Sequence, residues 1–261
     1  MSWKTPSGPR VPEARFDPGM DALLEAGVLL LASGAETYRV EDTLIHMGEA
    51  LGFGKVEVFV TPTGVILSIP GHRMGLRRVV ERHTRMDIIA RVNDLSRSLP
   101  ARGGSRAEIL RSVEEISHIA PPFRKTVEVA AAAAACVGFA FLVGARPLEG
   151  AAAALAGALM SLVRRGLGFA FADRFLTVTV GGVLAGMIGA VGASFGLREA
   201  VLIPSSLILL VPGLQITNAV RDVLSGDVLS GSALALEAVV LALALAGGAG
   251  IGLGAARLVH L

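Results

Sequence analysis

Between Phe175 and Val220 the chain carries charge at two positions only, Arg198 and Glu199. The uncharged runs on either side are Phe175–Leu197, 23 residues, and Ala200–Val220, 21 residues. About 20 predominantly apolar residues are enough to cross the hydrocarbon core of a bilayer as a helix. A water-soluble domain has no use for two such runs in succession, because its exterior must face water. The remainder agrees: 52% of the 261 residues are hydrophobic and only 5% aromatic. A membrane protein follows.

Charge divides the chain. Residues 1–125 hold 17 of the 24 Lys and Arg and 15 of the 22 Asp and Glu. The shift at Arg124–Lys125 predicts a flexible polar amino terminus over 1–18, a cytosolic α+β domain over 19–123 and a transmembrane domain over 124–261. The fold expected is an α-helical membrane bundle of about five transmembrane helices behind a small amino-terminal α+β domain. Spans are expected near 126–145, 147–163, 175–197, 200–220 and 230–256, the second being the shortest. With the head in the cytosol, Arg124, Lys125, Arg164, Arg165, Arg174 and Arg221 lie at inner boundaries and Arg146, Arg198 and Arg257 at outer ones. That asymmetry follows the positive-inside rule and puts the amino terminus inside and the carboxyl terminus outside; the localisation expected is the cell inner membrane, multi-pass. The first 18 residues lack the apolar core of a secretory signal. Cys136 is the single cysteine, so no disulfide forms within the chain.

In the head, apolar residues at Leu23, Leu24, Val28, Leu31 and Ala32 predict a helix over Met20–Ser33, and a second is expected over Ala35–Leu51. Val56, Val58 and Val60 alternate with Glu57 and Phe59. After the turn Thr61-Pro62-Thr63-Gly64, Val65–Ile69 completes a hairpin, and Met74–Glu81 offers a third strand. Helices are expected over Met86–Leu99 and Arg106–Ile119, with a loop Pro100–Ser105 between them. Residues 73–111 carry ten arginines, either a solvated face or one turned to anionic lipid headgroups. A head tethered to a bilayer argues against nucleic acid as a partner.

The membrane half has three unusual features. Its spans are rich in small-xxx-small pairs: Gly182 with Gly186, Gly248 with Gly252, and Gly250 with Gly254. Such pairs bring helices close in lipid, within one chain or against a second subunit. The run Ala200–Val220 is interrupted by Pro204 and by Pro212-Gly213. Proline removes a backbone donor, and the freed groups are tolerated where they face protein or a watery cavity. Broken helices of this kind form transporter binding sites, though kinks without a ligand also occur. Pro212, Gly213, Gln215 and Asn218 are the candidate binding region. Arg221, Asp222 and Asp227 follow, either as an inner gate that attracts anions or, for Arg221, as a topology anchor. Finally, Glu128 and Glu237 are acids inside confident spans, functional candidates or residues that reach the interface.

No enzyme site emerges. There is no phosphate-cradling glycine loop, no nucleophile elbow, and no metal-ligand spacing among His46, His72, His83, His118 and His260. No cofactor is expected, and nothing would bind ATP.

Four stretches carry a resemblance: Gly27–Thr43 (GVLLLASGAETYRVEDT), Phe59–Ser68 (FVTPTGVILS), Asp87–Arg97 (DIIARVNDLSR) and Leu210–Ala238 (LVPGLQITNAVRDVLSGDVLSGSALALEA). In this order they resemble the threonine/serine exporter family. In size and layout the chain is similar to the smaller subunit of split, two-chain exporters of the succinate type. The resemblance implies export of small amino or carboxylic acids, threonine and serine or a dicarboxylate such as succinate. It also implies coupling to the proton gradient, for which Glu128 and Glu237, as acids within spans, are the candidates. Some relatives carry a second membrane half, and here the sequence ends at Leu261. The resemblance therefore implies a second small membrane subunit as partner, or a homo-oligomer. A membrane-anchored signalling or scaffold protein is the alternative. An anchor needs one or two ordinary spans, whereas Gly/Ala-rich spans with a broken fourth favour transport.

Overall fold

The computed structural model describes residues 17–80, 82–170 and 174–259. The expected flexible segment 1–18 lies almost wholly outside the described residues, as do Glu81 and His260. The chain forms two compact units. One is Met1–Ala120 together with Arg221–Ser230; the other is Pro121–Val220 together with Gly231–Leu261.

In the first unit, α1 (Pro18–Ala32) starts where Asp17 accepts the Gly19 N–H at 2.9 Å and Pro18 occupies the first turn. Its residues Met20, Leu23, Leu24, Leu30 and Leu31 are buried and form the centre of the core. Helix α2 (Thr37–Ala50) adds Val40, Leu44 and Met47. The strands β1 (Glu57–Thr61), β2 (Gly64–Ser68) and β3 (Gly75–Arg78) form an antiparallel sheet in the order β1-β2-β3. Thr61 pairs with Gly64, so Pro62 and Thr63 alone make the turn. Val60, Val65 and Leu67 point into the core, while the cross-strand row Phe59, Ile66 and Leu76 lies on the opposite face. Helices α3 (Met86–Arg102) and α4 (Arg106–Ser117) close the unit. Ser105 and Glu108 form a capping box at the start of α4.

The expected loop Pro100–Ser105 is shorter than the sequence indicates, because α3 continues through Pro100 to Arg102. In the last turn the proline forfeits a single intrahelical bond, the one to the Ser96 carbonyl, and the left-handed Gly103 (φ 61°) then ends the helix.

In the second unit, α5 (Lys125–Leu142), α6 (Pro147–Ala170) and α7 (Arg174–Ser194) are followed by α8 (Glu199–Leu207), α9 (Gly213–Leu224) and α10 (Val228–Leu258). The last turn of α9, from Arg221, belongs to the first unit. Among the described residues three helices are long and apolar enough to cross a membrane, α5, α7 and α10, and α6 offers the shorter apolar stretch Pro147–Val163. The expected fourth span, 200–220, is therefore not one continuous helix. Pro212 has no N–H to give the Ile208 carbonyl, and the chain turns tightly, with Leu210 N–H on the Leu207 carbonyl at 2.8 Å. Pro204 lies within α8 without ending it.

Glycine sets the closest packing. A Cβ on Gly186 would lie 2.1 Å from the Ala249 carbonyl oxygen, and one on Gly252 2.0 Å from that of Val183. Helices α7 and α10 thus cross backbone to backbone. Gly247, Gly250 and Gly254 face open space. At one end of this unit the buried Glu149 accepts from the Arg146 N–H (2.7 Å), from the Arg198 N–H (3.1 Å) and from the Arg198 guanidinium (2.5 and 2.7 Å). Arg198 also donates to the Gly144 carbonyl, and Arg257 pairs with Glu199 at 2.7 Å.

Candidate functional site

The residues singled out in 212–227 part company at Arg221. Pro212, Gly213, Gln215 and Asn218 belong to the second unit, and Arg221, Asp222 and Asp227 to the first. In the second unit Pro212 is buried at the break, Gly213 opens α9, Gln215 is half-buried and Asn218 is buried and engaged in a polar contact. The first N–H groups of any helix lack intrahelical acceptors and carry partial positive charge. The start of α9 therefore presents backbone donors immediately after a helix break, chemistry suited to a carboxylate.

In the first unit, Arg221, Asp222 and Asp227 come together at the corner where the chain enters α2. Glu36 is the residue before α2, and no side chain of that corner caps the helix locally. Instead the Thr37 N–H donates to Asp222 Oδ1 at 3.1 Å, from a position 185 residues distant in sequence. The Thr37 hydroxyl donates to Asp227 Oδ2 at 2.7 Å. Asp227 Oδ1 in turn accepts the Ser230 N–H at 3.1 Å, so one carboxylate caps the start of α10 and holds Thr37. Arg221 pairs with Glu36. The corner extends to β1: Glu41 accepts the Val60 N–H at 2.8 Å, and Ser230 Oγ lies 3.4 Å from the Val60 carbonyl.

Electrostatically the corner is acidic. Burial pushes the Glu41 carboxyl above its ordinary value, against the Val60 hydrogen bond, and Asp227, Asp42 and Asp222 push it further. Burial likewise raises Asp222; the bonds from Thr37 and Tyr38 oppose that and Asp227 reinforces it. Beside Glu36 lies a cavity of about 170 Å³ whose polar lining is Glu36, Arg39, Asp42, Thr43, Asn93 and Arg97. It is smaller than the ~300–1,000 Å³ typical of drug-sized ligand pockets.

Glu36, Thr37 and Glu41 are absent from the candidates read from the sequence. The signal was available, since all three lie in the stretch Gly27–Thr43. The structure brings that stretch together with Phe59–Ser68, at Val60, and with Leu210–Ala238, at Arg221, Asp222, Asp227 and Ser230. The fourth, Asp87–Arg97, supplies Asn93 and Arg97 to the cavity. Of the two acids in the spans, Glu128 lies half-buried in the first turn of α5, and Glu237 on α10 pairs with Arg174 at 3.1 Å. Among the described residues no group of His, Cys, Asp and Glu is arranged to hold a metal ion.

Comparison with known proteins gives one match. The sequence model of the family ThrE, described as "Putative threonine/serine exporter", matches residues 21–256. No curated protein and no solved structure matches the chain.

Proposed function

Because the chain belongs to the threonine/serine exporter family, we propose that it exports small hydrophilic metabolites, threonine and serine first among them, across the cell inner membrane in exchange for protons. The observation that carries this reading is the interrupted element of the membrane unit, α8 and α9 separated by Ile208–Pro212. A broken helix in apolar surroundings is what a transporter needs and an anchor does not. The substrate carboxylate is held at the start of α9 by backbone donors, with Gln215 and Asn218 as side-chain partners.

Five crossings fit this reading, with α8 and α9 together making the fourth. Its support is the gathering of Gly144, Arg146, Glu149, Arg198, Glu199 and Arg257 at one end of the membrane unit. These residues come from the α5–α6 connection, the α7–α8 connection and the end of α10, which five crossings bring to one side. The head is then cytosolic, as the distribution of arginines indicates. The open glycine face of α10, Gly247, Gly250 and Gly254, is where a second membrane subunit or a second copy packs.

The decisive experiment reconstitutes the full chain in liposomes, alone and with a candidate partner, and follows labelled L-threonine, L-serine and succinate. Movement of threonine and serine, faster with a pH gradient, is the expected result. Movement of succinate alone reassigns the substrate to dicarboxylates. A chain that inserts but moves none of the three points to the scaffold alternative. Orientation is checked separately in a Cys136→Ala background: a cysteine replacing Arg73, exposed in the head, resists impermeant thiol reagents in intact cells.

A further inference from the structure

We infer that Asp222, with Glu41 and Asp227 around it, is a proton-binding site, and that it is the site through which protons act on export. The second half of that statement rests on the function proposed above; the first rests on geometry alone.

Asp222 has no exposed surface. One of its oxygens accepts the Thr37 N–H, and the Thr37 hydroxyl and the Tyr38 N–H also bear on the carboxyl group. The other oxygen, Oδ2, has no hydrogen-bond partner and is the one such buried side-chain atom among the described residues. An ionised carboxylate offers about four acceptor sites and no donor. Buried with these sites only partly filled, it is favoured in its protonated form. Protonation removes the charge from the unpartnered oxygen and, with it, the repulsion from Asp227 and Glu41.

The charges facing Asp222 point the same way. The corner before α2 carries Glu36 and α2 carries Tyr38, Arg39, Glu41 and Asp42, of which Glu41 interacts electrostatically with Asp222. Its own segment contributes Arg221 and Asp227. From β1 comes only the Val60 backbone. Of the two cations, Arg221 is committed to Glu36, and Arg39 approaches the same carboxylate at 4.0 Å. Among the described residues, no cation is paired with Asp222. Burial first, and the neighbouring carboxylates after it, raise Asp222 and Glu41 above their ordinary values, in accord with the geometry.

The position gives the proton a consequence. Arg221–Ser230 is the segment that joins α9, directly after the helix break, to α10. It is held to the Thr37 corner by two carboxylates, Asp222 and Asp227. A proton entering from water neutralises Asp222 and relieves its repulsion from Asp227 and Glu41; its return to water restores the repulsion and loosens the segment. No other group changes.

The test is an infrared pH titration of the full chain in detergent. The expected result is a carbonyl band of a protonated carboxyl group that persists toward neutral pH, disappears in Asp222→Asn and moves to a different titration midpoint in Glu41→Gln. If Asp222→Asn does not fold, the Glu41→Gln shift alone decides. A parent without such a band, or a midpoint unmoved by Glu41→Gln, overturns the site. In liposomes, Asp222→Asn is expected to lose gradient-driven threonine accumulation at least tenfold, and Glu41→Gln to move its pH dependence in the same direction as the infrared midpoint. Accumulation at the parental rate overturns the coupling role. A parent that shows the band and moves no threonine refutes the export function and leaves the proton site standing.

Discussion

At the scale of residues, pH separates two kinds of carboxylate in the first unit. The Arg85 guanidinium beside Asp87 holds that carboxyl below its ordinary value. Its stabilisation is present above the ordinary carboxylate range and is lost as pH falls through the lowered native value. Asp222 and Glu41 have the opposite sign. The native state binds their protons more tightly than the unfolded chain does. Their stabilisation is present below the ordinary range and is lost as pH rises through the raised native values. Thermal unfolding of the purified chain against pH should therefore decline on both sides of a mildly acidic maximum. Asp222→Asn should flatten the decline on the alkaline side, and Asp87→Asn the one on the acid side. Arg221 gives a second residue-level expectation. The contact with Glu36 comes from one guanidinium nitrogen, on a side chain 55% exposed. Arg221→Lys should keep threonine efflux near the parental rate and Arg221→Gln should lower it, because the charge matters there and the bidentate fork does not. Equal loss in both variants would mean that the guanidinium itself contacts the substrate.

Among elements, the crossing of α7 and α10 is the most exacting. Gly186→Ala or Gly252→Ala sets a methyl group against a backbone carbonyl that cannot rotate away. Each should destabilise the membrane unit by about 1–3 kcal/mol or more, the usual cost of overpacking, seen as a lower melting temperature in detergent. Gly250→Ala meets open space and should leave the melting temperature unchanged. If larger side chains at Gly250 and Gly254 abolish co-purification of a partner while the fold survives, that face is the assembly surface. The first helix pair obeys similar rules without close glycine contacts on every face: Gly157 lets α6 approach the backbone of α5 at Ala132 and Ala133.

For the whole molecule, the sequence by itself determined that this is a membrane protein with a separate polar head. Charge-free runs of span length can hardly be anything else, and hydropathy is a local property. It also determined the hairpin, because alternation through Val56, Val58 and Val60 has period 2 and the turn follows directly. Boundaries were less legible: α3 runs through Pro100 because one missing hydrogen bond in a last turn is affordable. The interruption near Pro212 was readable, since proline acts on its own backbone. That the run 200–220 divides into two short helices, leaving three helices of clear span length, was not, because packing decides how far a break spreads. Least legible was the corner of Glu36, Thr37, Glu41, Asp222 and Asp227. Its members lie up to 191 residues apart in sequence; Asp222 and Asp227 read as a gate at the end of a span, and nothing in the sequence joins them to Glu36, Thr37 and Glu41. Only the tertiary structure closes that distance and removes water from Asp222. Burial and the proximity of like charges turn an ordinary aspartate into a proton site, and neither exists until the chain has folded.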